Sequence, residues 1–390
     1  MIKRAFAICL LACIGVILRA QDYSNHTGNA LRLPFNLAFV PGISVADLVI
    51  GMEDREVEVS GINLGVIGSR IDRLNGISLG GVFGEVTRDA MGGEWSGVFN
   101  VVGGDARGMM VAGVFNVARQ SMGGLQGAGV FNTAATVGGF QGAGVFNVNE
   151  ENLNGGQGAG VFNLTKGSLQ GAQAAGVFNQ LAGDGAGVQI AGIFNSCDGE
   201  MTGVQLAGIL NTANHFVDGV QVGVVNYADE NDGVPLGLVS YVKSVGLRYD
   251  AWIDESQFGY IGVRSGTSRF YNVVSLGAQG NSPFRWLVGA GFGYQVQFVG
   301  DLLLDVGIST AHVNEEGDGW TSGTNLLNKV NCVGVIDLPG VPDLLVGLTL
   351  NIWVSDVQDG SDVAQYTLRV RQVGTTWVRV WPGLVAGVRF

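Results

Sequence analysis

The sequence predicts an all-β protein in which a glycine-rich array of 16-residue β-repeats is joined to an antiparallel β-barrel. Three observations carry this. The phrase Gly-Val-Phe-Asn, or a close variant, occurs nine times between Gly97 and Asn226, at intervals of 15 or 16 residues. Inside each repeat, apolar and polar residues alternate with the period of two that marks a strand. Beyond residue 235 the composition changes: six of the seven Trp and six of the eight Tyr fall there, on longer alternating stretches.

The first twenty residues read as an export signal. Met1-Ile2-Lys3-Arg4 is a positive start, Ala5 to Leu18 is apolar over 14 residues, and Ala20 offers a cleavage point before Gln21. A rival lies inside it, because Leu10-Leu11-Ala12-Cys13 resembles a lipoprotein box that would be lipidated at Cys13. Residues 21–60 form an N-terminal segment with the first strands, at Leu31–Val40 and from Glu56 onward.

Residues 61–234 are the repeat array. The phrase starts at Gly97, Gly113, Gly129, Gly144, Gly160, Gly176, Gly192, Gly208 and Gly223, with fainter copies at Gly65 and Gly81. Of the 65 glycines, 33 lie in residues 81–226, so the glycine belongs to the repeat and not to the chain at large. Self-similarity at a fixed short period marks a repeat architecture.

Two architectures compete for it. In a β-solenoid each repeat is one coil stacked in parallel on the next. Phe99, Phe115, Phe131, Phe146, Phe162, Phe178 and Phe194 would then form one internal stack. Asn100, Asn116, Asn132, Asn147, Asn163, Asn179, Asn195, Asn211 and Asn226 would form a ladder of side-chain amides. In the alternative each repeat is one strand of a single large up-and-down barrel. The solenoid is favoured because successive units are alike without odd–even alternation, the intervals never stretch, and residues 97–226 hold no Trp or Tyr for a membrane interface. A coil needs a second corner, and the pairs Gly123-Gly124, Gly138-Gly139 and Gly155-Gly156 are the candidates for it.

Residues 235–390 alternate at Leu236–Val245, Phe258–Val263, Phe270–Ala278, Trp286–Phe298, Leu302–Val313, Leu326–Val335 and Leu344–Val354, separated in places by acidic loops. The chain ends on an alternating stretch closed by Phe390, the form of an assembly signal in outer-membrane barrels. Together these predict an antiparallel barrel, with a soluble β-sandwich as the alternative.

The G-x-Q-x-A-G-x-x-N units, followed by Gly233-Val234-Pro235-Leu236-Gly237-Leu238 and by Arg264 through Asn272, resemble a bacterial surface-repeat family of predicted outer-membrane proteins. The resemblance spans residues 31 to 390. It implies an outer-membrane address, contact with membrane lipid and with the assembly machinery, and an unidentified surface ligand. It carries no catalytic residue.

The net charge of −12 leaves no basic footprint for nucleic acid. His26, His215 and His312 stand apart in sequence, no His/Cys cluster has metal spacing, and the acidic turns at Asp229–Gly233 and Asp356/Asp359/Asp362 match no calcium loop. Neither cofactor nor enzymatic activity is expected. The expected function is structural or binding at the outer membrane, with a porin-like channel as the alternative.

Overall fold

The structure, a computed structural model, describes residues 31–33, 48–50 and 58–390, apart from residues 66, 281–282, 301, 316–318, 339 and 365. The leader at 1–20, with Cys13, and the segment through His26 lie outside the described residues. Of the strand expected at Leu31–Val40, Leu31–Leu33 is described and pairs antiparallel with Leu48–Ile50. Among the described residues no helix occurs. The chain divides at Ala191 into two units.

The first unit is a parallel β-solenoid and the second opens with further parallel coils, about twelve turns in all. Successive repeats lie side by side in parallel with the repeat as the register: Phe115 on Phe131, Asn116 on Asn132, Gln126 on Gln141. That pairing overturns the single up-and-down barrel, which needs neighbouring repeats to run in opposite directions. The coils begin earlier than the clear phrase does. Glu58–Gly65 already pairs in parallel with Arg73–Gly80, in units where the phrase is barely legible.

Each coil has two strands. One carries the Phe-Asn phrase, as at Phe162–Thr165, and the other carries the Gly-x-Gln phrase, as at Leu153–Ala159. The second corner is not at the glycine pairs. Gly138-Gly139 lies inside the strand Phe131–Ala143, and the chain bends instead at the Gly-Val that precedes each Phe, such as Gly144-Val145.

The glycine inside the strand answers to a different constraint. One glycine per coil, including Gly108, Gly124, Gly139, Gly155 and Gly171, has φ between 118° and 151°. A Cβ at Gly139 would overlap the carbonyl oxygen of Gly124 one coil before, and one at Gly155 would overlap that of Gly139. Coils can close to strand spacing here only if no side chain stands between them. The corner glycines repeat the logic, since a Cβ at Gly129 would overlap the Gly113 carbonyl.

The second unit holds the last coils and an antiparallel sheet. The parallel ladder runs to Val242, because Val239–Val242 pairs in register with Val225–Ala228. The expected boundary at 234/235 is therefore moved. Alternation alone does not separate a coil strand from a barrel strand, and Leu236–Val245 has the alternation of both.

The sheet comprises β1 (Arg248–Asp254), β2 (Gly259–Gly266), β3 (Phe270–Gln279), β4 (Arg285–Val299), β5 (Leu302–Glu315), β6 (Asn325–Ile336), β7 (Asp343–Ser355), β8 (Arg369–Val373) and β9 (Thr376–Arg389). Neighbours pair antiparallel from β1 to β7, then β9, which also carries β8 beside its first residues. Asp250–Asp254 of β1 pairs in turn with Val385–Arg389 of β9, so eight of the nine strands close a ring. Phe390 sits on that seam, where its N–H donates to the Tyr249 carbonyl at 2.8 Å.

Two neighbouring glycines separate the spacing constraint from mere composition. Gly139 combines φ of 147° with the blocked Cβ, whereas a Cβ on Gly138 meets nothing within 4 Å. Gly139→Ala is expected to destabilise the array by about 3 kcal/mol or more, through strain and a forced separation of coils. Gly138→Ala is expected to be neutral or slightly stabilising, since alanine restricts the unfolded chain more. Denaturant unfolding of the two variants side by side is the measurement, and equal losses would refute the account.

Candidate functional sites in the array and the barrel lumen

The nine Asn of the repeat point into the coils, and all are buried. Each amide nitrogen from Asn100 to Asn163 donates to the Asn of the following coil at 2.9 Å. Asn195 and Asn211 do the same at 3.0 Å. The second amide hydrogen goes to a corner carbonyl of the same coil, as from Asn116 to Gly127 at 2.8 Å and from Asn179 to Ile190 at 2.8 Å. So the Asn both ties coil to coil and satisfies a backbone carbonyl at the bend.

The ladder has built ends. Gly84 stands where an upstream Asn would be, and the Ser96 hydroxyl donates to Asn100 Oδ1 at 2.6 Å instead. Downstream, Asn226 donates to the Ser240 hydroxyl at 3.1 Å, and that hydroxyl donates to the Pro235 carbonyl at 3.3 Å.

The Phe residues do form a stack, but not inside. Phe99, Phe115, Phe131, Phe146, Phe162 and Phe178 lie ring on ring with centroids 4.9–5.0 Å apart. They are half-buried, on the opposite strand face from the fully buried Asn beside them. Phe194 has the same half-buried place. The expected internal Phe stack is therefore corrected. A coil of 16 residues encloses a narrow space, and the Asn, Gln, Ala, Leu and Met side chains fill it.

A second ladder is made of Gln. Gln141 donates to Gln126 at 2.6 Å, Gln157 to Gln141 at 2.8 Å, Gln173 to Gln157 at 2.9 Å and Gln221 to Gln205 at 2.8 Å. Asn231 ends it by donating to Gln221 at 2.8 Å. Upstream the same inward position is held by Met110, Glu94 and Ser78, as the pairing Ser78–Glu94–Met110 requires. Glu94 is thus a carboxyl sealed in the core, with neither oxygen hydrogen-bonded. Burial pushes its pKa up from 4.5 to about 8. Sequence reasoning missed it. The signal was there, in that Glu94 stands two residues after Gly92 as Gln126 stands after Gly124.

The barrel reverses the usual order of inside and outside. Inward positions carry Asp250, Asp254, Arg264, Asp305, Lys329 and Arg389, all buried. Outward positions of β7 are Leu344, Val346, Leu348 and Leu350, and Leu348 is 63% exposed. Arg264 pairs with Asp250 at 3.1 Å and Asp305 at 2.8 Å, and Arg389 pairs with the same two at 2.8 and 2.7 Å. Arg264 also lies 3.6 Å from the centre of the Tyr271 ring. Two cations and two anions in mutual contact compensate each other's desolvation.

Farther along the lumen Lys329 pairs with Asp254, which also accepts from the Tyr260 hydroxyl at 2.7 Å. Trp353, Trp381, Leu287 and Leu327 then close the lumen with Val363 and Ala364 of the long connection after β7. A space of about 100 Å³ is left among Asp250, Asp254, Tyr260, Arg264, Lys329 and Arg389. These charges were missed as a cluster, although all six fall on the inward parity of their strands.

The other candidates do not converge. Asp362 pairs with Arg285, Asp359 with Arg379 at 3.2 Å, and Asp356 accepts from Thr376 at 2.6 Å. Asp229 accepts from Tyr227 at 2.7 Å and pairs with Lys243. Among the described residues no group of three or more His, Cys, Asp or Glu has a metal-binding arrangement. His215 lies 3.1 Å from Asp232, and His312 stacks on Trp320. Compared with known proteins, the chain matches no family model, no curated protein and no solved structure.

Two predictions follow from the ladders. Asn163→Ala removes the donor to both Asn179 and the Ala174 carbonyl and the acceptor of Asn147. It should cost about 3 kcal/mol, against about 1–2 kcal/mol for its half-exposed neighbour Phe162→Ala. Chemical unfolding decides between them, and a larger loss for the Phe variant would sink the burial argument.

Glu94 gives the array a pH dependence. Below its unfolded value the acid is neutral in both states, and the contribution is fully present. As pH rises toward the folded value of about 8, the unfolded chain gives up the proton and the array keeps it, so stability falls. Glu94→Gln should flatten this decline and raise the unfolding midpoint at the alkaline end. Midpoints measured across the range from pH 5 to about 8 check it, and a wild-type midpoint constant over that range would exclude a protonated buried Glu94.

Proposed function

We propose that this chain is a non-enzymatic outer-membrane protein: the barrel is a lipid-embedded anchor, and the repeat array is a structural or binding module that the anchor holds. The observation that carries the reading is the inverted polarity of the barrel. Ile261, Leu276, Phe292, Ile308, Leu348 and Leu384 face outward and are all at least 47% exposed, around a lumen of buried Asp, Arg and Lys. In water that arrangement exposes apolar surface far beyond what a soluble domain tolerates, whereas in a bilayer it places each group in its own solvent. Even strand number, antiparallel closure and the export signal read at residues 1–20 support it, as does the repeat's resemblance to predicted outer-membrane proteins. The position of Phe390 on the closing seam supports its reading as an assembly signal.

The channel reading gains less. The Arg264–Asp250–Arg389–Asp305 quartet and the buried Trp353 and Trp381 occupy the lumen, which favours an anchor over an aqueous path. The test is therefore double. The protein should stay with outer-membrane vesicles through an alkaline carbonate wash, and after purification it should give no steady conductance in a planar bilayer. Release by carbonate would overturn the anchor. Steady single-channel steps would replace it with a channel.

A further inference from the structure

Resting on that reading, we infer that the last repeat coils, residues 192–242, stand on the periplasmic side of the outer membrane, so that the partner they meet lies inside the envelope and not outside the cell. The two ends of the barrel are unlike. At one end the connections are short: three residues from Gly266 to Phe270, two from Val299 to Leu302 and six from Ile336 to Asp343. Arg248 and Phe390, where the barrel begins and ends, are at that same end, with Phe390 paired to Tyr249. At the other end four connections separate Asp254 from Gly259, Gln279 from Arg285, Glu315 from Asn325 and Ser355 from Arg369, and the last two span 9 and 13 residues. Outer-membrane barrels turn briefly on the periplasmic side and extend their longer loops outward.

The last coil is seated on the short-turn end. Asn272 Nδ2 donates to the Pro235 carbonyl at 2.9 Å, and the Gly237 N–H donates back to Asn272 Oδ1 at 3.2 Å. The Ser240 N–H donates to the Ser265 hydroxyl at 3.0 Å. Ser265 and Asn272 flank the turn between β2 and β3, one of the three short ones. Only five residues join Val242 to Arg248, which is too few for the coils to pass to the other end of the barrel. Coil and short turns therefore share a side.

Accessibility to a membrane-impermeant maleimide tests this in cells that make the full chain. The background carries Cys332→Ser, since Cys332 is exposed on the barrel's outer face, and supplies the blank. Tyr366→Cys places a thiol in the long connection after β7, where the side chain is 71% exposed, and Asp218→Cys places one on an exposed coil position. In intact cells the Tyr366→Cys protein should label, and the Asp218→Cys protein should label only after the outer membrane is permeabilised. Labelling of Asp218→Cys in intact cells would overturn the inference. Protection of Tyr366→Cys in a protein that stays in washed outer-membrane vesicles would overturn it too. Recovery of the protein in the carbonate-soluble fraction would instead count against the membrane anchor itself.

Discussion

The distance between coils is the constraint on which the array depends. Parallel strands must lie one hydrogen-bond spacing apart, and each repeat contains two places where backbone meets backbone with nothing between. One is the in-strand glycine, such as Gly155 over Gly139, and the other is the corner glycine, such as Gly160 over Gly144. A side chain at either would part the coils and break the ladders to both sides. The glycine-rich composition is thus a packing requirement, and it fixes the repeat length. An insertion within the paired strand around such a glycine would shift it away from the carbonyl it must admit. The 15-residue interval from Gly129 to Gly144 keeps both glycines in register, because the missing residue falls at the register shift between Ala118 and Ser121.

Once spacing is set, the narrow interior chooses its residues. An amide side chain there can donate to the next coil and also satisfy a bent backbone, which a leucine cannot do. Asn fits the strand beside the corner, since its short arm reaches the carbonyl eleven residues on. Gln fits the opposite strand. Its amides donate toward the preceding coil, whereas the Asn amides donate toward the following one. The two rows of side-chain dipoles therefore oppose each other.

How much of this was legible depends on what each residue's pattern can encode. Parallel stacking was readable because the units are alike and evenly spaced. The placement of Phe was misread because hydrophobicity was taken as a sign of the interior, and in a coil this small it is not. Phe162 and Asn163 differ by one strand position, so the amphipathic alternation was seen and its sense inverted. The barrel's parity was readable from Leu344 to Val354. β1 was hidden because Arg248, Asp250 and Asp254 interrupt its apolar pattern, and only Arg264 of β2, Lys329 of β6 and Arg389 of β9 explain the two aspartates. No spacing rule in one chain predicts an ion quartet assembled from four strands.

The junction resolves a problem that neither part could solve alone. A solenoid that stops leaves a row of unpaired backbone groups and two ladders with an unmatched end. Here the last coil closes the Asn ladder on Ser240 and the Gln ladder on Asn231, at positions where the repeat phrase degenerates. It also gives the Pro235 carbonyl and the Gly237 and Ser240 N–H groups to Asn272 and Ser265 of the barrel. The degeneration at Gly233–Ser240 is therefore a terminator, written in residues that cannot accept another coil. The stretch Arg264–Asn272 is its receptor: Arg264 faces inward to the ion quartet while Ser265 and Asn272 face the coil. One short hairpin thus joins the ion quartet of the lumen to the end of the array.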